Sequence, residues 1–563
     1  MIIGMDMGGT NIDGVIIEDG KILKTIKKPT NRQDLFSSIY STFKELLGDY
    51  DKSKIERIHL STTVSTNAIV ENKIAQVGMV IQSGPGISYD HLACGKANAF
   101  ISGYIDHRGN VVETFNPFEI EELCKKFKEE GVTACGVVTK FSTRNPEHEI
   151  QIKDILDHHF YPVTMGHALS GRLNFPRRVY TSYLNSAVHS TFNHFAMHMK
   201  KSIEEEGIKA PLFLLKADGG TMTIEAAEEK PVETILSGPA ASFMGMNASF
   251  STDQDAILLD MGGTTTDIFF LADGVPLFEP LGIKIGKYNT LVRSIYTVSM
   301  GLGGDSSIEI KDNGMIISPK REGKPYALGG PKPTPTDAMI TLGLIPDYDH
   351  HKELAYESMR HLGEKLDSSA EETAQLVLEI MSEMIKHKVT ALLNEINSHP
   401  VYTIKELLYG KKIEPKLIQI IGGPAKILAP LLEKAWSLPC YYPNNYLIAN
   451  AIGAALARPT IEITMHADTS KKLLSVPELG HYEKINSGFN LDKAKTRALD
   501  LIKENAKSMA TSSGQIDAEI TEASSFNMIR GFYTKGKDIR VKAQVKPGLI
   551  QELRGDNHAS SQK

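Results

Sequence analysis

The string Asp6-Met-Gly-Gly-Thr10 returns almost half a chain later as Asp260-Met-Gly-Gly-Thr264. The first copy follows the apolar run Ile2-Ile-Gly-Met5. The second lies between Ala256-Ile-Leu-Leu259 and Ile268-Phe-Phe-Leu271. Each copy then reaches a polar turn, Glu18-Asp19-Gly20 or Asp273-Gly274. This is the pattern of strand, glycine turn and second strand. At one constant offset Asp6 falls on Asp260, Gly8 on Gly262, Gly9 on Gly263, Thr10 on Thr264 and Asp13 on Asp267. Self-similarity at that spacing predicts two homologous lobes, because a solenoid would repeat every ~20–50 residues. A chain of 563 residues is in any case longer than a single core usually serves.

Between the hairpins the pattern alternates in the α/β manner: a helix around Asp34–Leu47, a strand Gly78–Ile81, a charged helix near Pro117–Glu130 and a strand Ala134–Thr139. A later helix opens on the capping box Ser369-Ala-Glu-Glu372, and Leu376, Ile380 and Met384, four apart, predict its core-facing side. From about Ile461 the pattern loosens. Ser525–Leu549, punctuated by Gly531, Gly536 and Pro547-Gly548, reads as a small β-meander in an appended module. The expected division is 1–175, 176–460 and 461–563.

A Gly-Gly-Thr turn exposes consecutive backbone N–H groups in one concavity, and glycine lets the backbone come close to an anion. That concavity suits a phosphate. Thr10 and Asn11, or Thr264 and Thr265, add side-chain donors. The aspartates would repel phosphate directly but suit Mg²⁺, which keeps several waters and takes one or two carboxylates with phosphate oxygens. Asp6, Asp13, Asp260 and Asp267 are therefore the metal candidates, and Asp6, Asp260 and Asp267 the catalytic ones. Gly303 and Gly304, in Gly301-Leu-Gly-Gly-Asp-Ser-Ser307, offer a third glycine bend. The strand Leu417–Ile421 runs into Gly422-Gly423-Pro424, where glycines at a strand-to-helix turn would let a flat adenine ring lie against the backbone. The small-residue run Ala449-Asn-Ala-Ile-Gly-Ala-Ala455 predicts a tightly packed helix behind that site, stopped by Pro459.

The charge balance narrows the ligand. Net charge is −6 with no long basic run, which gives no nucleic-acid or anionic-membrane footprint. No window is apolar for 18 residues and Met1–Asp6 has no basic, apolar leader pattern, so a cytoplasmic protein with a small-molecule ligand is expected. Cys94, Cys124, Cys135 and Cys440 form no C-x-x-C pair, against a zinc, iron–sulfur or disulfide framework. His91, His148, His158 and His159 lack metal-ligand spacing.

The two hairpins with the Gly-Gly-Pro turn resemble the acetate and sugar kinase, Hsp70 and actin superfamily. Further strings narrow the likeness: Ser61-Thr-Thr-Val-Ser-Thr-Asn67, Ser237-Gly-Pro-Ala-Ala241, Asp260-Met-Gly-Gly-Thr-Thr-Thr-Asp267, Thr334-Pro-Thr-Asp-Ala338 and Asn145-Pro-Glu-His-Glu149. Together they resemble the hydantoinase A and 5-oxoprolinase ATPase family from about residue 1 to about 460. Asp305 stands where the family's glycine-rich loop is expected to carry glycine.

The resemblance implies two ribonuclease-H-like, actin-like ATPase lobes with an inter-lobe nucleotide cleft and a small C-terminal α+β module. It implies ATP and Mg²⁺, and ATP-dependent opening of a cyclic amide such as 5-oxoproline or a hydantoin, or an ATP-driven step of ketone carboxylation. A hydantoinase B-type second subunit belongs to that picture, and homo-oligomerisation stays open. Thr63, Thr66 and Asn67 are the substrate-gripping candidates, with a Ser/Thr-capped helix start as the plain alternative. A small-molecule kinase and a non-catalytic ATP switch or activator are the competing functions. Phosphate release, a phosphorylated product, or slow turnover indifferent to lactams would separate the three.

Overall fold

The computed structural model describes residues 1–9, 11–31, 34–279, 281–311, 314–398, 412–509, 516–554 and 559–560. Strands Ile2–Met7, Asn11–Glu18 and Lys21–Pro29 form an antiparallel meander. Arg57–Thr62 then adds parallel to the open side of the first strand, and Leu212–Leu215 adds parallel to that. The second sheet repeats the plan. Ala256–Met261 and Thr266–Ala272 are antiparallel, and Leu417–Ile421 and Cys440–Tyr442 add in parallel on the other side. Both hairpins end at an Asp-Gly turn with two positive φ angles, Asp19 and Gly20 at 49° and 76°, Asp273 and Gly274 at 48° and 73°. A type I′ turn requires that geometry, and Asp-Gly supplies it at least strain. A meander followed by parallel strands on its first strand is the ribonuclease-H-like topology, present here twice, as in actin-like ATPases.

A separate parallel sheet of Val163–Met165, Ala134–Thr139, Val77–Gln82 and Ala97–Phe100 is inserted into the first lobe. Its helices are Pro117–Glu129, capped by the Asn116 side chain, and Glu147–Leu156. Residues 462–545 build a five-stranded antiparallel sheet with helix Leu491–Met509 against it, around a core of its own that includes Ile463, Leu474, Ala498, Ile502 and Val541. The half-buried Glu462 ties this module to the rest. Lys542 lies 3.0 Å from it, Arg172 of the segment before the long helix 3.6 Å, and Arg293 of the second lobe 3.9 Å. All four cysteines are free and buried. Among the described residues no helix is long and apolar enough to cross a membrane.

Three expectations change. Residue 175 opens the 31-residue helix Phe175–Glu205, and the first sheet is completed only after it, by Leu212–Leu215 and Thr221–Thr223. A division at 175 therefore does not separate the two sheets, because the chain returns to close the first one. Ala559–Ser560 likewise pairs with Tyr441 and Tyr442 in the second lobe's sheet, so the module does not keep all of 461–563. The helix that begins after Ser369 does carry its capping box, with Ser369 and Glu372 bonded reciprocally at 2.9 and 3.2 Å. Its buried side, however, is Ala374, Val377, Met381, Ile385 and Val389, while Leu376 is exposed and Ile380 and Met384 only half-buried. The buried residues 377, 381, 385 and 389 are themselves four apart and lie one residue, about 100°, round the helix from 376, 380 and 384, so the spacing marks a helix but not which i+4 series faces the core.

The lobes meet through two helices, Ser237–Ser249 and Ala449–Leu456. Glycine makes their contact possible. A Cβ on Gly453 would stand 2.1 Å from the Ala241 carbonyl oxygen, and one on Gly245 2.0 Å from that of Ala449. A Cβ on Gly4, in the first strand, would meet the Ala451 carbonyl oxygen at 2.3 Å. Gly453→Val should force these backbones apart at a cost of about 3 kcal/mol. A fall in the chemical denaturation midpoint checks this, and an unchanged midpoint would mean that the helices can separate freely.

Candidate functional site

Strand pairing sets the acids in place. Asp6 is the cross-strand partner of Asp13, and Asp260 of Asp267, at the turn end of each hairpin. The helix pair then brings the two ends together. Asn450 donates from Nδ2 to Asp6 Oδ2 at 3.4 Å and its amide also lies beside Asp260, so one side chain of helix 449–456 stands between the aspartates of both lobes. From helix 237–249, Ser242 donates to Asp260 Oδ2 at 2.5 Å. Lys27, opposite Asp13 on the third strand, donates to both Asp13 oxygens at 2.8 Å and to the Leu447 carbonyl at 3.0 Å. Ser299 donates to Asp267.

Packing four carboxyls between two lobes raises their proton affinity. Burial pushes Asp6 up to about 7, with Asp13 and Asp260 adding repulsion, partly offset by the nearby Ser61 hydroxyl and the Asn450 amide, although Ser61 Oγ itself makes no hydrogen bond among the described residues. Burial and then the Asp260 charge hold Asp267 at about 6. Asp260 is raised by desolvation, and Asp13 is raised by desolvation despite Lys27. Among the described residues Asp6 Oδ1 is buried with no hydrogen-bond partner, a costly state for an ionised carboxylate unless a cation or donor completes it.

The turns have different exposure. Gly8 donates to the Asn11 carbonyl at 3.0 Å and Gly262 to that of Thr265 at 2.9 Å, so both turns close in the same way. Gly262–Thr265 is exposed, whereas Gly8, Gly9 and Asn11 are half-buried. Thr10 lies outside the described residues. Gly303 and Gly304 are brought to the second turn, but as braces. A Cβ on Gly303 would be 2.5 Å from Thr264 N, and the N–H groups of Gly304 and Asp305 are taken by the carbonyls of Gly262 and Gly263 at 3.1 and 2.7 Å. Thr336 clamps this loop by donating to the Gly304 carbonyl at 2.8 Å, and Arg321 lies 2.8 Å from Asp305.

Gly422, at φ 93°, wedges against Met261, whose carbonyl oxygen would lie 2.1 Å from a Cβ there. Gly423, by contrast, has no atom within 4 Å of its Cβ direction, so a ligand can reach its backbone. Pro424 caps helix Ala425–Trp436.

Thr63, Thr66 and Asn67 also come to this region. Thr63 Oγ1 donates to the Met7 carbonyl at 3.2 Å and accepts from Asn67 Nδ2 at 3.1 Å; Asn67 is exposed. Thr66 Oγ1 accepts the Leu236 N–H at 3.1 Å. Leu236 is held at φ 63°, ψ 30°, a left-handed conformation rare for leucine, and it aims the start of helix 237–249 beside Thr63. Thr334-Pro-Thr-Asp-Ala338 is a helix cap whose Asp337 also accepts the N–H groups of Tyr326 and Ala327 at 3.0 and 2.7 Å. Glu149 of the Asn145–Glu149 string is wholly buried and accepts the backbone N–H of Thr139 at 2.7 Å and of His167 at 3.0 Å.

Sequence reasoning missed Ser61, Lys27, Ser242, Ser299 and Asn450. Asn450 carried a signal, being the single polar side chain in the Ala449–Ala455 run, and Lys27 could be found by pairing the second and third strands. Ser242 and Ser299 reach the acids only through the tertiary fold.

Sequence models described as "Hydantoinase/oxoprolinase N-terminal region" and "Hydantoinase/oxoprolinase" match residues 2–160 and 178–463. The chain belongs to the hydantoinase/oxoprolinase family. It is 25% identical over 384 residues to the caprolactamase subunit alpha of Pseudomonas jessenii, covering 61% of this chain and 55% of the relative. Against the acetophenone carboxylase gamma subunit of Aromatoleum aromaticum it is 24% identical over 399 residues, covering 61% and 53%. It therefore spans about half the length of these curated relatives. Among solved structures, the fold matches an ATP-dependent caprolactamase from Pseudomonas jessenii with a TM-score of 0.70 at 18% identity, covering 96% and 87% of the chains. It matches a nucleotide-free acetone carboxylase with a TM-score of 0.69 at 14% identity, covering 98% and 88%.

The raised Asp6 makes a prediction about stability. A carboxyl that binds its proton more tightly folded than unfolded stabilises the fold at low pH, and that contribution is lost as pH rises from the unfolded value of 3.8 to about 7. Asp6→Asn removes the buried charge. Without ligand, its melting temperature relative to wild type should therefore rise by a few degrees between about pH 5 and about pH 8. A pH-independent difference would refute the assignment.

Proposed function

We propose that this chain is the ATP-driven component of an enzyme that phosphorylates the amide oxygen of a small cyclic amide, such as 5-oxoproline or a hydantoin, so that the ring can open. The observation that carries this reading is the approach of two homologous Asp-x-Gly-Gly hairpins at their turn ends, with Asn450 standing between Asp6 and Asp260. Membership of the hydantoinase/oxoprolinase family and similarity to proteins named as a caprolactamase subunit and an acetophenone carboxylase subunit support it.

The residues fit magnesium held by few protein atoms. Among the described residues no group of three or more His, Cys, Asp or Glu side chains is arranged to hold an ion by itself. The unpartnered Oδ1 of Asp6 and the half-buried Asp260 are what an ion carried in with phosphates and water would require. ATP supplies the phosphoryl group that turns the amide oxygen into a leaving group, and Mg²⁺ neutralises charge on its phosphates.

The chain's own groups do the rest. Backbone N–H groups of the exposed Gly262–Thr265 turn and of the first turn face the phosphates, and the bare edge of Gly423 receives the adenosine. The N-terminus of helix 237–249, beside Thr63 and Asn67, offers N–H groups and a positive dipole end to the amide oxygen as charge develops on it. Asp6, poised near neutrality, takes up or releases a proton as the ligand set changes. Activation of a ketone oxygen would use the same parts, which keeps a carboxylase component as the second reading, favoured by the acetophenone carboxylase likeness.

Three outcomes are expected. Asp260→Asn should cut phosphate release from ATP about 10²-fold or more while the fold is retained; wild-type turnover would refute the carboxylate's role. Magnesium–ATP at millimolar level should raise the melting temperature by a few degrees, and no shift would count against nucleotide binding. Its affinity should rise with pH through about 6 to 7, as Asp267 and Asp6 ionise. A screen of cyclic amides and ketones for stimulated phosphate release, with the second subunit added, separates the two substrate classes. Failure of every one would leave a kinase or a switch.

A further inference from the structure

The C-terminal sheet carries a feature that neither its own core nor the cleft explains. Strands Ala518–Arg530 and Tyr533–Val545 form a hairpin of two 13-residue strands. Its inner half is flanked by Glu462–Asp468, which pairs with Asp538–Gln544. Beyond the Asp468↔Asp538 rung, Lys537 still bonds Thr469 at 3.0 and 2.7 Å and Gly536 packs against Ser470, while the tip from Ile529 to Lys535 pairs, among the described residues, only with itself and stands out as an arm. A two-stranded ribbon alone is marginally stable in water.

This one also presents large apolar side chains on its outer half. Phe526 is 60% exposed, Ile529 66%, Phe532 101% and Tyr533 81%. Among the described residues Ala518–Arg530 is moreover an edge strand, with no strand on its outer side. Register shifts at Ile520/Glu522 and Met528/Ile529 bracket an uninterrupted stretch, Glu522–Met528, whose outer backbone groups face no strand. Native proteins usually blunt such edges, and a long unprotected one is a template for strand addition.

The charge pattern indicates what covers it. From 523 to 537 the sequence has three basic residues, Arg530, Lys535 and Lys537, and no acid. The base has Asp517, Glu519, Glu522 and Asp538 against Arg540, Lys542 and Lys546, one net negative charge, with Lys546 lying 3.8 and 3.5 Å from Asp517 and Glu519. One end of the same edge is thus basic and apolar, and the other acidic. Antiparallel pairing of two copies about Ser525 would set the basic tip of each beside the acidic base of the other, while Glu522–Met528 of one pairs with Met528–Glu522 of its mate. A membrane surface could take the aromatic tip but leaves the edge N–H and C=O groups unmet, and a uniformly acidic partner would repel the base.

We propose that this arm is a self-association device: two copies of the chain pair antiparallel through Glu522–Met528, with the exposed apolar tip of each buried against the base of the other. Sedimentation velocity on the full chain from low to high micromolar should show a monomer–dimer equilibrium. Asp517→Lys with Glu522→Lys, or Lys535→Glu with Lys537→Glu, should each weaken it by at least about tenfold, with unchanged melting temperature because these side chains are exposed. Mixing the two variants should restore dimers, since acidic tip then meets basic base. Phe532→Ser should weaken association as well. A wild type that stays monomeric throughout overturns the proposal. So does a dimer indifferent to all three changes, which would lie on another face. Loss of association without recovery on mixing would also overturn it, and would assign the arm to a different protein subunit.

Discussion

Close contact between helices 237–249 and 449–456 is the constraint on which the other features depend. Two lobes that each fold around their own sheet have no intrinsic reason to present their glycine turns to one another. Here Gly245, Gly453 and Gly4 remove the side chains that would hold the backbones apart, and the short distance lets Asn450 stand between Asp6 and Asp260. Any longer separation would leave each aspartate with its own lobe. Such close packing also transmits movement, because a change at either hairpin is felt by the helix that contacts it.

The same closeness creates the site's electrostatics. Four carboxyls are drawn into a region where, among the described residues, Lys27 pairs with Asp13, and the result is proton affinity raised above the ordinary carboxylate range at each of them. A fold does not gain stability this way. The arrangement is intelligible as a preorganised place for a cationic ligand, at which strain and unmet hydrogen bonding are stored. Leu236, forced into a left-handed conformation at the start of helix 237–249, belongs to the same economy of local strain near a working surface.

Much of this was legible in one dimension. The repeated Asp-Met-Gly-Gly-Thr string gave the two hairpins, since short continuous apolar runs on either side of a glycine turn are a local pattern. Gly422-Gly423-Pro424 read correctly as a strand-to-helix turn, and Ser237-Gly-Pro as a helix start. Local reading erred where a residue's role depended on its neighbours in space. Gly303 and Gly304 looked like ligand contacts, yet their backbone is closed against the second turn, and Thr66 looked like a substrate group, yet it holds Leu236. Leu376 lay on an i+4 series, but the apolar stripe is centred elsewhere.

By itself the sequence determined that there are two homologous glycine-turn hairpins, where they start and end, and which acids flank them, because turn chemistry and apolar runs act over a few residues. Only the tertiary structure decided which of those acids meet, that Asn450 stands between Asp6 and Asp260, and that strands 212–223 return to finish the first sheet. It also decided that a C-terminal ribbon projects past its sheet. Those outcomes depend on contacts between residues hundreds of positions apart, set by how closely helices and sheets can pack, and no local pattern encodes that distance.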